Sequence, residues 1–521
     1  MCGIAGAIGF SDAKEVARRI VSALGHRGDF SDPETEVGKN CALATRRLRI
    51  LDWKRAVQPQ VSFDGKIAVT MNGEIYNYVE LRERLIQKGV RFKTDCDTEV
   101  VANALALWGA SAVQEFNGMF AFVALSDKGE YWVARDHFGI KPLYFMKVGS
   151  GVAFSSEIKP LLAAFPNDKA CVEELSPATL LHNGRMSSFK PRTSVAAPSR
   201  DLNHNTKRLD RLLRNAVERR LPPDLSCAIL FGGGIDSTLI LHYAHLLNSK
   251  VVPYFIGSPL GSDYEHARRF TNDRGIELKT VSVNRPQVFG ILETIVGATE
   301  TFEPNVIRNA VFSYFLAEAV HKDNIRVTLC GEGADELFCG YAEMGAALEK
   351  TRSATVVRET RSRFLGDLHR TQLLRVDRCS MRHQVETREP FLDRDVVAFA
   401  NSLPMNQLVL GPGASDNKLI LRNIYSLHPR LLPADIARRK KVVFVEGVGM
   451  GDNSPSGPFF EHARDNITDT VFNDLKKRFA DFKLKTKEEA LYIDYLSRRI
   501  DVGRVPSLKK RPAANCSGFS P

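Results

Sequence analysis

Cys2 directly follows Met1, so removal of Met1 would place a thiol and the chain's α-amine on one residue. An α-amine has a pKa of about 7.7–8.0, close enough to neutrality to act as a general base. A cysteine beside its own base is an activated nucleophile, the logic known for N-terminal threonine. Its attack on a carboxamide creates an oxyanion, which needs hydrogen-bond donors held in place. Asn72-Gly73 supplies a side-chain NH2 and an unhindered backbone N–H directly after an expected strand. If the carboxamide is that of glutamine, an α-carboxylate and an α-ammonium also need charge partners. Arg47, Glu74 and Asp97 have the types for those roles.

A second set of residues suits phosphate chemistry. Phe231-Gly232-Gly233-Gly234-Ile235-Asp236-Ser237-Thr238 joins an expected strand to an expected helix. Glycines let backbone N–H groups approach phosphates, and the helix N-terminus adds its positive dipole. Asp236 is suited to Mg²⁺ and Ser237 can donate to a phosphate oxygen. The GxxxxGK[ST] loop of kinases and GTPases is absent. A second loop, Cys330-Gly331-Glu332-Gly333-Ala334-Asp335-Glu336, follows the strand expected at 325–329. Arg439-Lys440-Lys441-Val442-Val443-Phe444 is a basic cluster that, taken alone, reads as a solvated surface.

These residues need two kinds of scaffold. Residues 1–185 carry short β-type runs punctuated by Asp64-Gly65 and Asn72-Gly73 turns, with helical periodicity at 79–88 and 98–107. That mixture reads as α+β. Residues 186–205 are polar and proline-bearing, the composition of a linker. Beyond them, strands at 226–231, 251–256 and 276–283 alternate with helices at 237–247 and from 263. Alternation of this kind predicts a parallel, doubly wound sheet in a domain over 206–505, mostly helical from about 345. Residues 506–521 read as a disordered tail.

The bulk numbers agree with a multidomain globular chain: 521 residues, 44% hydrophobic and 26% charged. No apolar run approaches the length of a membrane span, and the N-terminus lacks a secretory pattern. Nine cysteines contain no CxxC pair, which argues against a zinc site and a disulfide framework and suits the cytoplasm. Net charge is +11, but bases and acids are interleaved, so a basic surface favouring anionic substrates is expected rather than nucleic-acid binding.

Cys2-Gly3-Ile4, His26-Arg27-Gly28, Arg46-Arg47-Leu48, Asn72-Gly73-Glu74-Ile75-Tyr76-Asn77, Asp97-Thr98-Glu99 and Asn117-Gly118-Met119-Phe120-Ala121-Phe122 resemble, in order, the class II glutaminase domain. Arg135-Asp136-His137-Phe138-Gly139-Ile140-Lys141-Pro142-Leu143-Tyr144 continues the resemblance. It implies an N-terminal-nucleophile fold, a four-layer αββα sandwich. It carries Cys2 over as nucleophile and Asn72 and Gly73 as oxyanion donors. Arg47, Leu48, Arg49, Ile50, Leu51, Glu74 and Asp97 become glutamine contacts along with Asn72 and Gly73. One departure is Asp29-Phe30, where the family usually has Pro-Asp.

The glycine loop resembles the Ser-Gly-Gly-x-Asp-Ser pyrophosphatase-type motif, with Gly232 for its first serine. The second loop is similar to Ser-Gly-Glu-Gly-x-Asp-Glu, with Cys330 for serine and Cys339 for a later glycine. Glu386-Thr387-Arg388-Glu389-Pro390-Phe391-Leu392-Asp393 and Lys418–Arg422 also match signatures of the asparagine synthetase family. The resemblance implies ATP contacts at Phe231, Gly232, Gly233, Gly234, Asp236, Ser237, Ile256, Cys330 and Gly331. It implies Mg²⁺ at Asp236 and Asp335, and Glu332 where ammonia meets an acyl-adenylate. Lys441 is the implied catalytic lysine, neutralising charge as pyrophosphate leaves. Glutamine hydrolysis would feed ammonia through an intramolecular channel to a carboxylate activated by ATP, giving amide, glutamate, AMP and pyrophosphate.

The default acceptor is aspartate. The family's Thr-Thr-x-Arg segment is here Asn305-Val306-Ile307-Arg308, and Arg308 is expected to pair with an acceptor carboxylate. The alternatives are the same chemistry on a different carboxylate and, more remotely, an inactive binding or regulatory protein. The expected partners are glutamine, ATP and the acceptor, with room for a homodimer and none for nucleic acid or membrane.

Overall fold

The computed structural model describes residues 2–50, 52, 54–223, 225–248, 250–257, 262–411, 417–429, 432–438 and 457–512. The chain divides into two compact units. One comprises Met1–Arg192, Met381–Gln384 and Asp494–Arg511, and the other Thr193–Ser380, Val385–Ile493 and Pro512–Pro521.

The first unit is built on two antiparallel sheets of seven and six strands. Strand side chains alternate between faces, and here both faces are apolar. On the Ile67–Ile75 strand, Ala68 points inward to the opposite sheet while Val69 and Met71 point outward. On Gly118–Ser126, Ala121 and Val123 point inward while Phe120 and Phe122 point outward. The inward residues meet Ile4, Leu43 and Phe154 of the seven-stranded sheet. The outward ones pack against Val100, Val101 and Ala104 of the Asp97–Trp108 helix. The Ala13–Ser22 helix covers the outer face of the other sheet. The result is the αββα sandwich.

In the second unit five strands run parallel in the order Lys279–Val281, Val251–Ile256, Cys227–Leu230, Val327–Leu329, Glu386–Arg388. The first strand in the chain lies in the middle, and later ones are added to one side and then the other. The winding therefore reverses at Cys227–Leu230, and such a switch point leaves a crevice at the carboxyl ends of the strands. Both phosphate-type loops leave strands on that edge.

Some boundaries differ from the sequence reading. The Arg185–Ser188 strand pairs with Thr179–His182, carrying a sheet past residue 185. The Leu202–Glu218 helix starts inside the stretch read as a linker, because Asp201 caps it by accepting from the Asn203 and His204 N–H groups. Pro506–Lys509 forms a 3₁₀ turn with Leu508 buried, so order extends into the expected tail. No helix among the described residues is long and apolar enough to cross a membrane.

Candidate active sites

In the first unit the Cys2–Ile8 strand pairs along Cys41–Arg47, with Cys2 opposite Arg47. The Cys2 backbone N–H donates to Asn72 Oδ1 at 2.9 Å. That bond fixes the amide, so Asn72 Nδ2 is turned the other way. Nδ2 is buried with no acceptor among the described residues. A buried, unsatisfied N–H beside a nucleophile is the donor that a developing oxyanion would satisfy. Gly73 beside it has φ +145, and a Cβ there would lie 2.0 Å from the Met119 carbonyl oxygen. Only glycine lets the two strands approach so closely while leaving that N–H unhindered.

Burial pushes the Cys2 thiol up to about 11, although a hydrogen bond from the Leu48 backbone and the charge of Arg47 oppose the shift. The thiol is therefore protonated near neutrality and needs a base. Two buried groups hold its backbone. Arg27 Nε donates to the Cys2 carbonyl at 3.2 Å, and Arg27 is itself held by Glu157 at 2.9 Å.

Several of the expected glutamine contacts have partners of their own. Arg47 is buried and pairs through Nε and Nη2 with Asp32, at 2.8 and 3.0 Å. Arg49 pairs with Asp29 at 2.9 Å, and both guanidiniums lie about 5.5 Å from the centre of the Phe30 ring. Asp29-Phe30, the departure from the family's Pro-Asp, thus packs as an anion and an aromatic face against these two arginines. Asp97 Oδ2 accepts from the Ile75 N–H at 2.8 Å. Glu74 is half-buried on the Asn72 strand. Ile50 is described; Leu51 lies outside the described residues.

In the second unit a cavity of about 320 Å³ opens at the switch point. Its wall includes Phe231, Gly232, Gly234, Asp236, Ser237, Ile256, Cys330, Gly331, Glu332 and Asp335. Gly233 is not on the wall. Its φ of +68 makes the turn, and a Cβ there would meet the Asp263 oxygen and Ala267 nitrogen at 3.0 Å. Gly234 is the N-cap of the Ile235–Leu247 helix and carries no side chain to satisfy the first helical N–H groups. Gly234, Ile235, Asp236 and Ser237 at this helix start all line the cavity, and a helix start without a side-chain cap is where an anion would be received.

Asp236 and Asp335, from different loops, meet at one cation: Lys418 Nζ lies 2.6 Å from a carboxylate oxygen of each. Burial alone would lower the lysine's pKa, but the two carboxylates override it and the net shift is upward. Gly340 makes this cluster possible, since a Cβ there would fall 2.0 Å from Asp335 Oδ1 and 2.3 Å from Lys418 Cε. Glu332 Oε1 accepts from Arg375 Nη2 at 2.6 Å. Burial holds the Cys330 thiol well above its usual range, with Glu389 and Glu332 adding to it. It serves as a neutral, weakly polar wall where a serine would offer a hydroxyl.

Residues 1–193 match the glutamine amidotransferase domain family, and residues 208–355 and 348–498 match asparagine synthase. The chain belongs to the asparagine synthase family. It is similar to the glutamine-hydrolysing asparagine synthetase 3 of Arabidopsis thaliana, 30% identical over 516 residues, 94% of this chain and 86% of that one. Synthetase 1 of the same plant is 28% identical, covering 94% and 85%. Synthetase 2 of Oryza sativa is 29% identical, covering 94% and 84%. The chain is accordingly a ligase of the glutamine amidotransferase type.

Against this family background Arg308, like Gly233, is not on the cavity wall, whereas Lys418 and Arg375, which received no role, are. Arg308 is 4% exposed and absent from the cavity wall. Its guanidinium forms a two-pronged pair with buried Glu488, whose Oε1 also accepts from Tyr492 at 3.0 Å. The residue expected to pair with an acceptor carboxylate is thus paired here with a carboxylate of the chain itself. Lys441 lies outside the described residues. Lys418 and Arg375 hold the cavity's carboxylates instead. Lys418 stands in a motif noted for its resemblance alone, and no local pattern marks Arg375.

Proposed function

We propose that this chain hydrolyses glutamine at Cys2 and uses ATP to convert a carboxylate into an amide. The observation that carries the reading is the cavity in the second unit. It brings a glycine loop, an open helix N-terminus, two aspartates from separate loops and Glu332 to one wall. A glutaminase alone has no use for such a site.

In the first half-reaction the α-amine of Cys2, once Met1 is removed, takes the thiol proton. The sulfur then attacks the glutamine carboxamide. Asn72 Nδ2 and the Gly73 N–H receive the oxyanion, the amine returns the proton to departing ammonia, and water releases glutamate from the thioester. In the second, the Gly232–Gly234 loop and the helix start receive the phosphates of ATP. The acceptor carboxylate attacks the α-phosphorus, ammonia attacks the resulting acyl-adenylate, and pyrophosphate and AMP leave. Asp236 and Asp335 are hard oxygen donors already close to one cation, and they fit Mg²⁺, which would supply charge neutralisation on the phosphates. Lys418 and Lys441 are the protein's own positive charges for that task.

The relatives are named for asparagine as product, and aspartate is the carboxylate whose amide asparagine is. A second reading, another carboxylate, is favoured by one observation: Arg308 is bound to Glu488. Pyrophosphate release with ATP, glutamine and a panel of carboxylic acids decides between them. Aspartate-dependent release with asparagine as product establishes the first, and release driven by a different acid the second. Release with no acid at all sinks the proposal.

A further inference from the structure

Cys2 is held at both ends of its backbone. Its nitrogen donates to Asn72 Oδ1, and its carbonyl accepts from Arg27 Nε. Behind Arg27 stands Glu157, whose Oε1 accepts from Arg27 Nη1 and lies against His26 Nε2, both at 2.9 Å. Arg27 and Glu157 are buried, and His26 reaches the surface only in part.

Glu157 occupies an unusual position for its type. It is the N-cap of the Ile158–Ala164 helix, where a short Ser, Thr, Asp or Asn side chain is preferred as acceptor for the first turn. Its side chain makes no capping bond and turns instead to the Gly25–Arg27 turn. The residues before it grip the nucleophile's own strand. Ser156 Oγ accepts from the Ile4 N–H at 3.0 Å, and the Ser156 N–H donates to the Ile4 carbonyl at 3.3 Å. Ser155 Oγ accepts from the Glu157 N–H at 3.2 Å. Glu157 is thus fixed relative to Cys2 through its backbone as well as through Arg27.

Charge follows from the same geometry. The working base is a neutral amine, so a positive charge beside it favours the working form and a negative one opposes it. Arg27 and Glu157 form one ion pair beside Cys2, with His26 on the same carboxylate oxygen. Arg47 and Asp32, likewise paired, are the other side-chain charges that act on Cys2. Resting on the glutaminase half of the reading above, we infer that Glu157 is a positioning residue for glutamine hydrolysis: it aims Arg27 at the Cys2 carbonyl and offsets the charge that Arg27 sets beside the α-amine.

The test follows glutamine hydrolysis by the full chain with Met1 removed, measuring kcat, KM and Tm across pH. In the wild type kcat/KM should rise with pH as the amine loses its proton. Glu157→Gln keeps the shape and removes the negative charge, so the ammonium form loses a stabilising neighbour. The rising limb should move down by about one pH unit, the pull of one charge roughly 10 Å away at an effective dielectric near 20. Its kcat should fall about tenfold or more as Arg27 loosens, with KM for glutamine near the wild-type value. Arg27→Gln removes the opposite charge, and its limb should move up. Glu157→Asp keeps the charge and shortens the reach, so its limb should stay in place while kcat falls. A pair that served stability alone would lower Tm without moving the limbs in opposite directions. Limbs that stay put in both glutamine variants, or that move together, overturn the inference and leave hydrolysis at Cys2 intact. If Glu157→Gln does not fold, the upward shift in Arg27→Gln and the fixed limb in Glu157→Asp decide in its place. No hydrolysis by the wild type, or hydrolysis that survives Cys2→Ala, removes the glutaminase reading and the inference with it.

Discussion

At the residue scale the proposed glutaminase site turns on the two ends of one side chain. Asn72 Oδ1 holds the Cys2 N–H, and Nδ2, without a partner among the described residues, is the proposed oxyanion donor. Asn72→Asp keeps the acceptor and removes the donor, so it isolates the second role. Glutamine hydrolysis should fall about a hundred- to a thousand-fold in kcat, the usual cost of one oxyanion donor, while ammonia-driven pyrophosphate release stays at the wild-type rate. A loss below tenfold would place the oxyanion elsewhere. In the other unit, Lys418→Met would leave Asp236 and Asp335 facing each other without their shared cation. Removing one partner from a buried ionic cluster costs about 3–5 kcal/mol, to be read as a lower Tm. The lysine's pKa is raised on folding, so its contribution is fully present below the unfolded value and is lost only as pH rises through the folded one. The Tm gap between the proteins should thus be constant from about pH 6 to 9. Mg²⁺ should raise the variant's Tm more than the wild type's, and an equal response would separate the two aspartates from any metal. Lys418 was quotable from sequence as part of a motif, yet its role was not legible, because a lysine between two distant aspartates has no local signature. Arg308 is the converse case. Its type suggested an acceptor partner, and only the fold reveals its pairing with Glu488, 180 residues away.

At the element scale the legible parts were those governed by short-range rules. The Asp97–Trp108 helix and the Val251–Ile256 strand lie within a residue or two of their expected positions because apolar periodicity decides them. The boundary near 185 was less legible, since strand Arg185–Ser188 is exposed and polar and is held by pairing with Thr179–His182 rather than by burial. The phosphate loop allows a test of what each glycine does. Around Gly232 an added Cβ would meet nothing within 4 Å, whereas at Gly233 φ is positive and backbone lies at 3.0 Å. Gly232→Ser should therefore fold normally and tighten ATP by about 1 kcal/mol if the new hydroxyl finds a phosphate. Gly233→Ala should lower stability by about 1 kcal/mol or more and weaken ATP, because the turn itself is strained. Isothermal titration with ATP and thermal melts of both variants read the contrast. Equal effects at the two positions would mean that the loop's shape does not depend on the turn at Gly233.

At the scale of the whole molecule the proposed reaction assigns each unit a chemistry of its own, joined by one small product. The proposed nucleophile and oxyanion donors all lie in the unit containing Met1–Arg192, while the cavity, its aspartates and Glu332 lie in the other. If that division is functional, removing the nucleophile deletes the source of ammonia and nothing else. Cys2→Ala should abolish glutamine-driven pyrophosphate release, yet with ammonium chloride the release should proceed at close to the wild-type rate. The substitution removes a small buried side chain at a strand end and keeps the backbone N–H that bonds Asn72. Melting and ATP titration on the same preparation check that it is folded. Because only uncharged ammonia attacks the adenylate, the ammonium-driven rate should rise with pH through neutrality, whereas the wild type supplied with glutamine should follow Cys2. A folded Cys2→Ala protein that loses both activities would show that the thiol serves the synthetase reaction as well. A variant that keeps the glutamine-driven activity would show that Cys2 is not the nucleophile.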